Sequence, residues 1–81
     1  MFSSYIIYSE KVDRYYIGST MNLNQRLDDH NSGRSPFTKG KSPWVLKWSC
    51  EFETRSEAHK EEMRLKRKKS RKYIEWFIAN G

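Results

Sequence analysis

Tyr15-Tyr16-Ile17-Gly18-Ser19-Thr20 is the stretch whose reading decides the fold. Aromatic and β-branched side chains pack well on a pleated, half-buried surface, so the run reads as a strand. Gly18 does not belong to that pattern. A glycine inside a strand weakens it and marks a bulge or the close approach of another group. Upstream, Tyr5-Ile6-Ile7-Tyr8 is a second strand-like run. Residues 4–9 and 15–19 form the two arms of a hairpin, and the polar interval from Glu10 to Arg14 has the length of its loop.

Downstream the period changes from two to 3.6. Asn22 suits a helix N-cap, so a helix is expected from Asn22 to about Asn31, ended by Asn31-Ser32-Gly33. Ser32 to Pro43 holds both prolines and two glycines and reads as a surface loop. Trp44 to Phe52 is a third strand, with Trp44, Leu46, Trp48, Cys50 and Phe52 on one face by alternation. Thr54-Arg55-Ser56-Glu57 is a capping box that opens a second helix. Ser70 caps a third, Arg71 to about Asn80, with Tyr73, Ile74, Phe77 and Ile78 on one side. The order β-β-α-β-α-α predicts an α/β (α+β) fold: a small antiparallel sheet flanked by helices, one domain over 1–81.

Lys and Arg number 16 against 10 Asp and Glu, a net charge of +6. That excess favours a polyanionic partner, nucleic acid before anionic membrane. Half of the basic residues crowd between Lys60 and Lys72, which argues against charge that serves solubility alone. Cys50 has no second cysteine to pair with and no zinc-site spacing surrounds it, which favours a reducing, cytoplasmic setting. No apolar run is long enough for a membrane span and no signal-peptide pattern opens the chain.

Two helices carry ionisable groups where apolar ones are expected. Leu23 and Leu27 define the buried stripe of the first helix, and Arg26 and His30, one turn apart, fall within or beside it. The plainer interpretation has Arg26 reaching outward and His30 as a satisfied half-buried histidine, and the pair alone favours it. Ala58 and Leu65 mark the stripe of the second helix, with Glu61 and Glu62 between them on the same line. Periodicity does not say which glutamate faces inward. Tyr5 and Tyr16 by themselves read as a cross-strand aromatic pair. The Trp44 and Trp48 stripe reads as core. Taken together, basic and acidic groups leaning onto one tyrosine-bearing sheet face suit a phosphate with a divalent cation.

At these residues the chain resembles the GIY-YIG nuclease superfamily, in its small single-domain bacterial type. The second signature stands intact as Tyr16-Ile17-Gly18, and the first reads Ser3-Ser4-Tyr5, keeping its tyrosine. Arg26 falls where the family places its catalytic arginine, and Glu62 matches its metal-binding glutamate. Lys69-Ser70-Arg71-Lys72 before an apolar helix is also similar to the small-domain subgroup. The resemblance implies a three-stranded sheet and metal-dependent phosphodiester hydrolysis, usually with Mg²⁺, or Mn²⁺. In that picture Glu62 anchors the ion and Arg26 neutralises charge on the transition-state phosphate. Tyr5 acts as general base or orients water, with Tyr16 as its partner, and His30 relays a proton or holds Tyr5. A phenol titrates near 10, so Arg26 and a metal would have to depress Tyr5 for it to act as a base at neutral pH.

DNA is the expected partner, held by Arg34, Lys39 and Lys41 in the loop and by Lys66, Lys69, Arg71 and Lys72 near the second helix. With no separate DNA-binding domain here, substrate preference is expected to be weak or structure-directed, or supplied by a partner protein or a second copy of the chain. The competing function is a non-catalytic nucleic-acid-binding module that uses the basic second helix and the 32–43 loop. A protein-interaction domain with incidental positive charge stands behind both.

Overall fold

The structure, a computed structural model, describes residues 1–80. Its elements run β1 (Phe2–Ser9), β2 (Arg14–Thr20), α1 (Leu23–Ser32), β3 (Trp44–Phe52), α2 (Arg55–Arg67) and α3 (Arg71–Asn80). The three strands form one antiparallel sheet in the order β2-β1-β3. The three-stranded sheet and the β-β-α-β-α-α order are those expected.

The helix ends are set by local chemistry. Asn22 accepts a hydrogen bond from the Gln25 backbone N–H at 3.1 Å, and Gly33 closes α1 at φ 85°, a left-handed conformation that glycine adopts without a Cβ penalty. Thr54 and Glu57 complete the capping box of α2. Lys69, at φ 49°, turns the chain between α2 and α3, and the Ser70 hydroxyl accepts from the Tyr73 N–H.

Central strand β1 is buried on both faces, which divides the core in two. Tyr5 and Ile7 pack with Trp44, Tyr16, Leu23 and Leu27 on the α1 face. Ile6 packs with Leu65, Ile74, Tyr15, Ile17, Trp48 and Phe77 on the face covered by α2 and α3. A fully buried aliphatic of this kind contributes about 1.5–3 kcal/mol relative to exposure.

The expected single stripe along β3 is not observed. Ile6 pairs with Trp48 but Ile7 pairs with Leu46, so Lys47 is an extra residue in a β-bulge. An insertion of one residue reverses every later side chain, because the strand period is two. Trp44 therefore lies in the α1-side core, and Trp48 meets Phe77 edge-on at 4.8 Å on the other side.

The first hairpin differs from expectation in the same register sense. Tyr5 pairs with Gly18 and Tyr16 with Ile7; the direct cross-strand tyrosine pair is Tyr8 with Tyr15, ring centroids 4.7 Å apart. Tyr5 and Tyr16 are diagonal neighbours at 6.4 Å.

The 32–43 loop departs from a simple surface loop. Ser35 and Thr38 are buried, and its end is tied down by the Ser9 hydroxyl, which donates to the Lys41 carbonyl. Asn31 clamps α1 to β3 from both sides: its amide donates to the Trp44 carbonyl at 3.1 Å and its oxygen accepts from the Trp44 N–H at 2.5 Å.

Candidate active site at the edge of the sheet

Gly18 explains why the site can form. A Cβ built there would stand 2.6 Å from Tyr5 Oη and 2.7 Å from its Cζ. The Tyr5 ring thus lies across the space that any side chain at position 18 would fill. The sequence marked Gly18 as a place of close approach, and the approaching group is the tyrosine of the neighbouring strand.

Tyr5 is 1% exposed and sits in a chain of polar groups. Its hydroxyl is 2.8 Å from His30 Nε2, and His30 Nδ1 is 2.7 Å from Thr38 Oγ1. The Thr38 hydroxyl donates to the Ser35 carbonyl at 3.4 Å, which leaves Thr38 to accept from His30 Nδ1–H. On that assignment Nε2 accepts from the Tyr5 O–H. His30 is fully buried, and burial first, then the Arg26 charge, pushes its pKa down to about 4, so it is neutral at pH 7.

Tyr5 is pushed up to about 12, chiefly by burial, with Arg26 working against that and the Tyr16 and Glu62 charges adding to it. The depressed phenol that base catalysis would need is not found in the protein alone. A single guanidinium does not offset burial of a phenolate inside the core. Arg26 is about one third exposed at the border of α1, where its Nη2 reaches Ser35 Oγ at 3.4 Å and its Nη1 stands 3.9 Å from Asp29 Oδ2. Burial lowers its pKa, and the neighbouring Tyr5 and Tyr16 hydroxyls outweigh that to hold it charged.

Glu62 arrives from the other side. Residues of α2 pack on the Ile6 face through Ala58 and Leu65, so Glu62 does not share the face of Tyr5, Tyr16, Arg26 and His30, as the sequence suggested. It approaches edge strand β2 from beneath, where Ser19 Oγ donates to its Oε1 at 2.7 Å. Lys66 Nζ donates to Oε2 at 2.6 Å and stands 6.0 Å from the Tyr16 ring centroid, so the two halves meet around β2. The Glu61/Glu62 ambiguity is settled by partners: Glu61 is held by Arg64 at 2.6 and 2.9 Å, away from Ser19. Ser3 and Ser4, which stand in place of the first two residues of the first signature, are buried, and Ser4 Oγ donates to the Ala58 carbonyl at 2.6 Å, docking α2 on β1.

Among the described residues no group of three His, Cys, Asp or Glu side chains could hold a metal by itself. The donor set suits a different kind of ion. Mg²⁺ keeps most of its waters and is bound through one or two carboxylates plus substrate phosphates. Glu62, with the Ser19 hydroxyl beside it, fits that requirement, and Lys66 marks a position where positive charge is already stabilised.

The basic residues are less uniform than their spacing suggested. Arg34 is held by Asp28 at 2.6 Å and Asp29 at 2.9 Å, and Arg71 by Asp13 at 2.6 Å and Glu75 at 3.3 Å. Lys66 is engaged with Glu62. Lys39, Lys41, Lys69 and Lys72 have no carboxylate partner among the described residues. Ser19, Ser35 and Thr38 were not singled out by the sequence, since each acts through a side chain carried by a different element.

The three-stranded antiparallel sheet and the helix order around it place the chain in a known domain class. The family model described as the GIY-YIG catalytic domain matches residues 1–74, and the chain belongs to that family. Among its relatives, the UPF0213 protein of Vibrio campbellii is 40% identical over 65 residues, 79% of this chain and 62% of that protein. The UPF0213 protein of Streptococcus pneumoniae serotype 4 is 37% identical over 67 residues, 82% of this chain and 68% of that one. The chain thus spans less than two thirds of the Vibrio relative. A solution structure of a UPF0213 protein from Bacillus halodurans superimposes with a TM-score of 0.61 at 27% identity, covering 98% of this chain and 84% of that one.

Proposed function

We propose that this protein is a divalent-metal-dependent endonuclease that hydrolyses phosphodiester bonds in DNA, with weak or structure-directed specificity. The observation that carries the proposal is the arrangement around β2: Tyr5, held by His30, with Arg26 on one side of the strand and Glu62 on the other. Glu62 would hold a Mg²⁺ or Mn²⁺ ion, which would supply Lewis-acid polarisation of a phosphodiester. Arg26 stabilises the charge that develops on that phosphate, from a fork held by Ser35 and Asp29 beside the two tyrosines.

Tyr5 serves as a proton conduit rather than a standing phenolate. Its hydroxyl oxygen accepts a proton from the attacking water while its own proton passes to His30 Nε2. A phosphate laid against Arg26 cancels the second of the two influences that hold His30 down, which raises its basicity when substrate is present. Tyr16, diagonal to Tyr5 on the same face, orients the phosphate or the water.

One observation favours the non-catalytic alternative: both oxygens of Glu62 already have partners, in Ser19 and Lys66. Cleavage separates the two. Purified protein is incubated with supercoiled, single-stranded and branched DNA, with Mg²⁺ or Mn²⁺ and with chelator. Nicking that needs the metal supports the nuclease, whereas binding without cleavage on every substrate leaves the binding module.

A further inference from the structure

Phe37 is 76% exposed, more than any other large hydrophobic side chain among the described residues. Its position is not that of a free loop tip. Ser35 beneath it is joined to Arg26, Thr38 to His30, and Lys41 to Ser9 on β1. The Lys41 ammonium donates to the Phe37 carbonyl at 3.1 Å. The turn is therefore held at three points, two of them on groups that line the candidate site, and its one aromatic side chain points to solvent. A turn already ordered in this way offers the ring to a ligand with little further loss of freedom on binding.

The surroundings say what would be bound. A groove of about 650 Å³ runs from Phe37 to Tyr16, with buried Trp44 in its wall and Arg14 and Lys41 along it. Arg14 and Lys41 have no carboxylate partner among the described residues and no acidic side chain lines the groove, so its walls carry net positive charge. An aromatic ring among cations, beside groups suited to a phosphate, matches a nucleotide: ring on base, cations on the flanking phosphates. Bases inside a duplex are already stacked, so such a ring is satisfied only by an unstacked base or by wedging into a step.

We propose that Phe37 is a stacking platform for an unpaired base beside the scissile phosphate, which makes nucleic acid with a flap, gap or junction the preferred ligand class. This inference rests on the nuclease reading for its substrate but not for its test. The experiment is binding in EDTA, where no metal-dependent cleavage occurs. A 2-aminopurine is placed as the first unpaired base of a gapped duplex and, separately, within an intact duplex. Fluorescence and affinity are read for the wild type, Phe37→Ala, Phe37→Trp and Trp76→Ala; the last removes another exposed aromatic, on α3.

Stacking on one aromatic is lost as about five- to hundredfold in affinity on truncation. Phe37→Ala is expected to weaken gapped-DNA binding by about tenfold, abolish the change in 2-aminopurine emission and leave intact-duplex binding within twofold. Phe37→Trp is expected to retain both signals, and Trp76→Ala to leave both unchanged. Equal loss on gapped and intact duplex, or no effect of Phe37→Ala, overturns the proposal. Stacking that persists in a protein that cleaves nothing would overturn the nuclease reading alone.

Discussion

The backbone of Gly18 lies so close to the Tyr5 ring that a single added methyl group would stand 2.6 Å from Tyr5 Oη and 2.7 Å from Cζ. The ring cannot swing aside cheaply, because it is buried and its hydroxyl is committed to His30. Gly18→Ala is expected to cost about 1–3 kcal/mol, the usual range for overpacking a core. It should also break the Tyr5–His30 contact. Urea unfolding checks the first and the His30 ring NMR signals the second; an unchanged midpoint with unchanged ring signals would contradict the packing described.

His30 gives a pH dependence with a defined sign. Its folded pKa, about 4, is below the ordinary value of 6.5, so the unfolded chain binds the extra proton first. Stability is then fully present above pH 6.5 and declines as pH falls toward 4, by up to about 3 kcal/mol. Between pH 5 and 6.5 the depressed carboxylates Asp13, Asp29 and Glu61 remain ionised and add nothing to the slope, and the His30→Gln variant separates His30 from the rest. Chemical denaturation across that window should show a positive slope of stability with pH, much reduced in His30→Gln. Equal slopes in the two proteins would exclude His30 as the source.

If Glu62 holds the ion as proposed, Lys66 and that ion would compete for one oxygen of Glu62. The ammonium is 2.6 Å from Oε2, yet both side chains reach solvent, so the pair itself contributes under about 1 kcal/mol to folding. Lys66→Met should therefore fold normally. Free Mn²⁺ measured by electron paramagnetic resonance, with no DNA present, is predicted to show about fivefold tighter binding to that variant, from removal of a charge-assisted competitor. Lys69→Met removes a charge without a contact to Glu62 and should change the affinity by less than twofold. Identical Mn²⁺ affinities for the wild type and Lys66→Met would show that Glu62 does not hold the ion.

Much of this site was legible in the chain because local rules write it. Asn22, Gly33, Thr54 and Ser70 bound the helices by capping chemistry, and Gly18 declared a close approach. Arg26 and His30 stood out by falling on a face meant for leucine. Two things escaped. The bulge at Lys47 adds one residue without a glycine or proline to announce it, and it sends Trp44 and Trp48 to opposite faces. The supporting hydroxyls of Ser19, Ser35 and Thr38 find their partners only in three dimensions, and serines and threonines in a loop look alike until folded. The face assignment of Glu62 failed for a related reason: helical periodicity tells which residues point to the sheet, not which side of it the helix covers.

The most direct test of the central claim compares cleavage with binding in the same proteins. Wild type, Arg26→Ala and Glu62→Gln are assayed for Mg²⁺-dependent cleavage of a branched DNA, with affinity for that DNA measured in chelator. Loss of one group that stabilises transition-state charge costs on the order of 10²–10³ in rate. Both variants are predicted to lose at least that much cleavage while binding the DNA within a few-fold of wild type. Cleavage that survives both substitutions would contradict the assignment of the site.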